Sequence, residues 1–167
     1  MRRVVLATGS RSLVHRPGAE EWVRAILEPI LEGCTHVIEG GASGPDYWAW
    51  DTARKRGIGI TEYRIDGRRY RWVPGQPIHS GSWEPLGRWD PPKDYTGAIP
   101  LVRNASMVHI VTDSILKGWE AIVVGFIDPK SPTHGTEHTV GLAARAVKSL
   151  PPAMRGSLVL RAERWLR

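Results

Sequence analysis

Two glycine-containing turns hold the residues whose types and spacing best suit the binding of an anion. The first lies within residues 37–53, where G-G-A-S-G-P-D follows a short apolar run, and the second lies within 131–144, where H-G-T-E-H precedes an amphipathic segment. Backbone N–H groups at the start of a helix, together with the positive end of the helix dipole, hold phosphate groups well. The spacing therefore predicts a nucleotide-type site and leaves the reaction open.

Polar side chains near these turns supply the candidate chemistry. Arg11 and Arg103 are predicted phosphate clamps, because a guanidinium offers paired donors to oxyanions, with solvated surface arginines as the alternative. Asp46 is predicted to bind a ribose hydroxyl or to position a water, or else only to stabilise the start of a helix. Ser43 is the expected cap of that helix and is also predicted to bind the ligand. Asn104 is expected to bind the ligand or to cap a local turn.

The sequence favours neither a metal site nor a reactive cysteine. His134, Glu137 and His138 are close in sequence, but the H-E-x-x-H order of a zinc helix is missing. We therefore predict no metal and no cofactor. Cys34 is the single cysteine, which excludes an internal disulfide and is typical of a small buried thiol.

Apolar periodicity predicts strands that alternate with helices. Strands are expected over 3–7, 35–38, 58–65, 121–127 and 157–162, and helices over 19–33, 45–56, 100–111 and 136–149. Such βαβ units favour a three-layer Rossmann-like α/β fold, with a parallel central sheet and helices on both faces. Ligands bind such sheets at the carboxyl ends of the strands. The loops at 8–11, 40–44 and 128–136 should therefore open on one edge.

Residues 66–96 interrupt this pattern. They are rich in Trp, Arg, Pro and Gly, and we interpret them as a long insertion or lid that lacks core-forming residues. The whole chain, 1–167, is expected to form a single domain around that insertion. Aromatic and cationic residues together also suit single-stranded nucleic acid. A lid over a small ligand and an oligomer contact are the alternatives.

The charge of the chain favours anionic partners. The formal net charge is +6 and the sequence pI is about 9.9, which suits nucleic acid or phosphorylated small molecules. No apolar run approaches the roughly 20 residues of a membrane span, so no membrane association is expected. We expect a cytoplasmic protein.

Four short motifs occur in an order that resembles a known group of proteins. They are T-G-S-R at 8–11, G-G-A-S-G-P-D at 40–46, R-N-A-S-M at 103–107 and G-T at 135–136. Together they resemble the SLOG superfamily, the Rossmann-like group that includes DprA and the LOG cytokinin-activating enzymes. The likeness is closest to its small YspA-type (YpsA-related) branch. It covers most of the chain except 66–96 and the C-terminal tail.

The resemblance implies a nucleotide or nucleotide-derived ligand in the crevice above the sheet, and self-association into a homo-oligomer. By matching position it implies these ligand-facing residues: Gly9, Ser10, Arg11, Gly40, Gly41, Gly44, Asp46, Arg103, Asn104, Gly135 and Thr136. LOG enzymes hydrolyse an N-glycosidic bond with an arginine and a glutamate. Arg103 and Met107 fit the arginine motif, whereas Thr139 occupies the glutamate position. Hydrolysis would then need Asp46, Glu39 or Glu137 as a substitute.

Three functions follow as hypotheses. The first is a nucleotide-binding protein that hydrolyses an N-glycosidic (phosphoribosyl) bond, in which Arg103 stabilises the phosphate charge and Asp46 positions or activates water. The second is an accessory protein that binds single-stranded nucleic acid, as DprA does. The third is a catalytically silent sensor of a nucleotide signal.

Overall fold

A computed structural model describes residues 2–75, 83–89, 98–131 and 134–166. The strands of this part are β1 (Arg3–Gly9), β2 (His36–Glu39), β3 (Gly59–Tyr63), β4 (Arg68–Trp72), β5 (Glu84–Arg88), β6 (Glu120–Ile127) and β7 (Leu158–Arg164). The α-helices are α1 (Ala19–Ile30), α2 (Pro45–Lys55), α3 (Ile99–Leu116) and α4 (Gly135–Ser149), and short 3-10 helices occupy Arg11–His15 and Pro152–Ser157.

The seven described strands form one mostly parallel sheet in the order β5-β4-β3-β2-β1-β6-β7. Strand β1 lies between β2 and β6 and is parallel to both, whereas β4 and β5 are antiparallel additions at one side. The chain first moves outward from β1 through β2 and β3 and then crosses to β6, which creates a switch point beside β1. The α/β class and the mainly parallel sheet are confirmed, and the arrangement is consistent with a Rossmann-like fold.

Two hydrophobic clusters hold the helices against the sheet. Successive side chains of a strand point to opposite faces, and β1 shows this directly. Val5 and Ala7 belong to a cluster with residues of α1 and α2, while Val4 and Leu6 belong to a cluster with residues of α3 and α4. The buried β1 is therefore packed on both faces, which explains its continuous apolar sequence.

Helix ends differ from the predicted ones for local reasons. Helix α1 ends at Ile30 rather than at residue 33, one residue after Pro29, which has no N–H to donate to the carbonyl four residues earlier. Helix α3 continues to Leu116 instead of residue 111. The hydroxyls of Thr112 and Ser114 donate to the carbonyls four residues earlier, at 3.0 and 2.9 Å, so these polar residues remain helical.

The start of α2 corrects the expected cap. Gly44, not Ser43, is the capping residue, and Ser43 is exposed and makes no cap hydrogen bond. The φ of Gly44 is 86°, a conformation that side-chain-bearing residues rarely adopt. Pro45 occupies the first turn as predicted, where its missing N–H removes no helical hydrogen bond.

The segment over 66–96 contributes to the core, contrary to expectation. Strands β4 and β5 extend the sheet, and Trp72 and Trp89 are only 4% and 8% exposed. The indole N–H of Trp89 donates to the carbonyl of Arg64 at 2.8 Å. The prediction that this segment lacks core-forming residues is therefore wrong for these two tryptophans. Its stretches 76–82 and 90–97 lie outside the described residues.

Two further properties concern individual elements. Within the described ranges, none of the helices is long and apolar enough to cross a lipid bilayer. Cys34 is buried as predicted, and its thiol donates to the carbonyl of His36 at 3.1 Å. Burial raises the pKa of this thiol to about 11, against weaker opposing effects from backbone hydrogen bonds and Arg3.

Candidate functional site

A cleft of about 560 Å³ lies at the carboxyl edge of the parallel strands. The chain segments after β1, β2 and β6 all leave the sheet on this side, as the strand register requires. The prediction that these loops open on one edge is confirmed, with residues 132 and 133 outside the described part. The cleft is lined by Thr8, Gly9, Ser10, Arg11, Ala42, Asp46, Pro100, Leu101, Arg103, Asn104, His134, Gly135, Thr136 and His138.

Backbone amides from two loops do converge at this edge, and the group they converge on is the carboxyl of Asp46. The N–H of Gly9 donates to Oδ1 at 3.1 Å, and the N–H of Gly40 donates to Oδ2 at 3.0 Å. Asp46 is 2% exposed. These two amides are therefore committed to a carboxyl of the chain itself.

The protonation of Asp46 reflects opposing effects. Burial raises its pKa to about 6, and the charge of Arg103 with hydrogen bonds from the amides of Gly40, Gly9 and Ala42 opposes that rise. Near neutral pH the carboxyl is thus mainly ionised, and it becomes neutral in mildly acidic solution.

Close approach of neighbouring atoms explains two of the predicted glycines. A Cβ on Gly9 would lie 2.3 Å from Cγ of Pro45, so any side chain here would push α2 away from β1. A Cβ on Gly40 would lie 2.8 Å from Oδ2 of Asp46 and 3.0 Å from Cζ of Arg103. Gly40 therefore lets the carboxyl and the guanidinium reach the backbone, and Gly9 lets Pro45 pack against β1.

Arg103 and Asn104 connect the two glycine turns. Nη1 of Arg103 donates to the carbonyl of Gly40 at 2.7 Å, and Nη2 donates to Oδ1 of Asn104 at 3.3 Å. The amide of Asn104 then donates to the carbonyl of Gly135 at 3.3 Å. Burial lowers the pKa of Arg103, and the negative charge of Asp46 opposes this shift. Arg103, the predicted phosphate clamp, is thus a buried cation, and some of its N–H donors already bind groups of the protein itself.

Arg11 and Ser10 have different surroundings although they are adjacent. Ser10 is buried, its N–H donates to the carbonyl of Phe126 at 2.8 Å, and its hydroxyl accepts from the N–H of Asp128 at 3.1 Å. Arg11 is exposed at the rim of the cleft and has no hydrogen bond or ion pair with the part of the chain that the structure describes. Ser10 therefore joins β1 to the end of β6, and Arg11 is available to a ligand.

The second glycine turn begins α4, whose first residues line the same cleft as Arg11. Gly135 and Thr136 form its first two residues and both line the cleft. The hydroxyl of Thr139 donates to the carbonyl of Gly135 at 2.9 Å, and Thr139 is fully buried. The position that resembles the LOG glutamate position is therefore taken up by a side chain bonded inside its own helix.

The remaining predicted residues lie around the first turn. Gly41 has a φ of 67° and lines a smaller hollow beside the cleft rather than the cleft itself. Gly44 packs near Val14 and the carbonyl of Ser10. Ser43 is exposed and is not among the residues that line the cleft.

From the sequence, Glu39 is predicted only as one substitute for the missing glutamate, and Glu62 is not predicted as a site residue. The two residues are register partners at the ends of β2 and β3. Glu39 is 1% exposed, and its Oε2 accepts from the N–H of Gly41 at 2.5 Å. Burial raises the pKa of Glu39 well above its usual range, and the nearby charges of Glu62 and Asp46 add to the rise. Glu39 directly follows the predicted strand 35–38, which was the available signal, whereas Glu62 lies inside the predicted strand 58–65.

In comparisons with known proteins, no family model, curated protein or solved structure matches the chain. The chemical content of the site therefore comes from its own residues. Two arginines, a helix start, two buried carboxyl groups and the partly buried Glu62 can bind an anion at one end of a ligand and exchange protons with it at the other.

Proposed function

We propose that this protein binds a nucleotide or a nucleotide-derived ligand in the cleft at the carboxyl edge of its sheet. One observation carries the proposal: a single cleft brings together Arg11, Arg103 and the first residues of the 15-residue helix α4. Its volume of about 560 Å³ falls within the usual range for small-molecule sites, roughly 300–1,000 Å³.

The phosphate is assigned to the Arg11 side of the cleft. The amides of Gly9 and Gly40 already donate to Asp46, so they are not the phosphate cradle. Arg11 is exposed, and helix α4 directs its positive dipole end toward the same cleft. Arg103 adds a second positive charge from the floor of the cleft.

Asp46 is assigned to a ribose hydroxyl or to a water. Its two oxygens offer about four lone pairs, and the amides of Gly9, Gly40 and Ala42 account for three of them, which leaves one for a ligand. It lines the cleft together with Arg103, so an acceptor stands beside the cation. This arrangement suits the junction between a sugar and its phosphate.

Hydrolysis of the N-glycosidic bond is the second candidate, and Glu39 favours it. Burial raises the pKa of Glu39 well above its usual range, so this carboxyl is suited to give a proton to the leaving base nitrogen while Asp46 accepts one from the attacking water. Water adds to the sugar carbon as the carbon–nitrogen bond breaks. Incubation with a nucleoside monophosphate should then release free base and ribose 5-phosphate, and intact ligand after prolonged incubation would leave binding alone, as in a silent sensor.

We also propose a three-layer, SLOG-like architecture in which 66–96 acts as an insertion or lid. The four motifs and the two hydrophobic clusters support it. Single-stranded nucleic acid receives less support, because Trp72 and Trp89 are buried and Trp83 packs on Trp50. Self-association stays a prediction, and exposed Val159 on strand β7 is an apolar side chain available for it.

Isothermal titration with nucleoside 5′-monophosphates and the matching nucleosides tests the binding proposal. The monophosphate should bind at least tenfold more tightly, and Arg11→Ala should remove most of that difference. Lys117→Ala is the matched control, since it also removes one positive charge but lies exposed at the end of α3. Equal affinity for monophosphate and nucleoside, or an equal loss in both variants, would contradict the proposal.

A further inference from the structure

A second concavity adjoins the cleft and has a different chemistry. It has a volume of about 200 Å³ and is lined by Tyr47, Trp50 and Trp83 together with Glu39 and Glu62. We call it the aromatic hollow. Gly41 and Ala42 also line it, and Ala42 lines the large cleft as well, so the two spaces meet at the first glycine turn.

Three aromatic rings form one wall of the hollow. The ring centroids of Trp50 and Trp83 are 6.2 Å apart with nearly parallel planes at 24°, and those of Tyr47 and Trp50 are 5.3 Å apart. Tyr47 is 53% exposed, which is unusual for an aromatic residue beside a concave surface. Such a wall offers flat apolar area to a planar ring.

Two residues that line the hollow have buried polar atoms without a partner among the described residues. Oε1 of Glu39 is buried and has no donor among the described residues, and Nε1 of Trp50 is buried without an acceptor there. Glu39 is itself 1% exposed. Buried polar atoms normally have partners. One acceptor and one donor beside an aromatic wall therefore point to a ligand with complementary edge groups.

The charge balance of the floor favours a neutral ring over a cation. Glu62 forms an ion pair with Arg64, so its negative charge is already compensated. Burial raises the pKa of Glu39 well above its usual range, and the nearby charge of Glu62 adds to this rise. A carboxyl group accepts hydrogen bonds in either protonation state and donates one when it is protonated.

We propose that the aromatic hollow binds the heteroaromatic base of the ligand, with Tyr47, Trp50 and Trp83 packing on the ring and Glu39 and Glu62 pairing with its N–H-bearing edge. This inference rests on the proposed function for the other end of the ligand. The sugar would lie at the first glycine turn, between the hollow and the phosphate end. Carboxyl groups commonly read amino groups on bases in this way.

Titration calorimetry with three probes separates this inference from the proposed function. The probes are guanosine and adenosine 5′-monophosphate, the matching nucleosides, and ribose 5-phosphate. The base should strengthen binding at least tenfold relative to ribose 5-phosphate, in line with the usual contribution of base stacking. Tyr47→Ala and Trp83→Leu should each weaken monophosphate binding about tenfold and leave ribose 5-phosphate binding within twofold.

Two further variants test the floor and the specificity of the effect. Glu39→Gln keeps the volume and an uncharged hydrogen-bonding group, so base binding should stay within about threefold, whereas Glu39→Leu should lose it. Trp119→Leu is the control, because Trp119 is a partly buried tryptophan at the start of β6, on the opposite edge of the sheet.

Each outcome decides between the two ideas. If ribose 5-phosphate binds as tightly as the monophosphates, the base assignment is overturned and the phosphate cleft stands. If nucleosides bind in a Tyr47-dependent manner and ribose 5-phosphate does not bind, the base assignment stands and the phosphate cleft fails. Absence of binding by all three probes overturns both.

Discussion

The amide nitrogen of Gly9 lies 3.1 Å from Oδ1 of Asp46, and this hydrogen bond joins the end of β1 to the first turn of α2. The other oxygen of Asp46 holds Gly40 at the end of β2. One side chain thus sets the spacing of two loops that line the cleft. The geometry of the site depends on this carboxyl before any ligand arrives.

Substitution of Gly9 by alanine should destabilise the protein. The new Cβ would lie 2.3 Å from Cγ of Pro45 and 3.1 Å from Cβ of Phe126, so the start of α2 must move. We expect the free energy of unfolding to fall by about 1–3 kcal/mol, as for other overpacked sites, measured by urea denaturation. Gly156→Ala is the control, since no atom lies within 4 Å of its Cβ position. Similar losses in both variants would contradict the close packing at Gly9.

Removal of the Asp46 carboxyl should expose two specific amides to exchange. In Asp46→Ala the N–H groups of Gly9 and Gly40 lose their acceptors, and hydrogen exchange followed by NMR should accelerate at least tenfold at both. The N–H of Thr35, which donates to the carbonyl of Arg3 at 2.9 Å on the other edge of the sheet, serves as the internal control. Unchanged exchange at Gly9 and Gly40 would show that other groups hold these loops.

The stability contributed by Glu39 should fall as pH rises. Its pKa in the folded protein lies well above the usual value because of burial and the charges of Glu62 and Asp46. The folded state therefore binds more protons than the unfolded state above pH 4.5, so stability decreases with pH until Glu39 ionises. Glu39→Gln has no ionisable group at this position, so its stability lacks this dependence on pH.

The difference in free energy of unfolding between the wild type and Glu39→Gln separates the effect of Glu39 from those of other titrating groups. One of these is His36, whose pKa is lowered to about 4 by burial and by the charge of Arg71. The free energy of unfolding of Glu39→Gln, minus that of the wild type, should grow as the pH rises above 4.5, until Glu39 ionises in the folded wild type. Denaturant titrations across this range measure it. A difference that is flat or shrinks with pH would contradict the raised pKa.

The single cysteine should be nearly inert in the folded protein. Cys34 is buried, and its pKa is raised to about 11, so little thiolate exists at pH 8. Its reaction with a coloured disulfide reagent should be at least a hundredfold slower than in denaturant. Fast native labelling would show that the end of α1 opens readily. The reaction of a small-molecule thiol with the same reagent in the same buffer gives the reference rate.

Much of the fold follows from local pattern. The apolar runs of β1 and β6 and the amphipathic spacing of α1 and α4 identify these elements within a few residues, because side-chain periodicity reports which face is buried. Strands β4 and β5 were not anticipated. Their sequences are rich in arginine, proline and glycine, and they form by pairing with β3 rather than from their own preferences.

The candidate site, like the fold, follows only in part from the sequence. Alternation of strands and helices by itself determined that the loops predicted at 8–11, 40–44 and 128–136 open on one edge, since parallel strands must end on the same side. Only the tertiary structure decided that Asp46 takes the amides of two of those loops and that Glu39 meets Glu62. These contacts join segments far apart in the chain, and they depend on strand register and helix approach, which no local pattern of residues encodes.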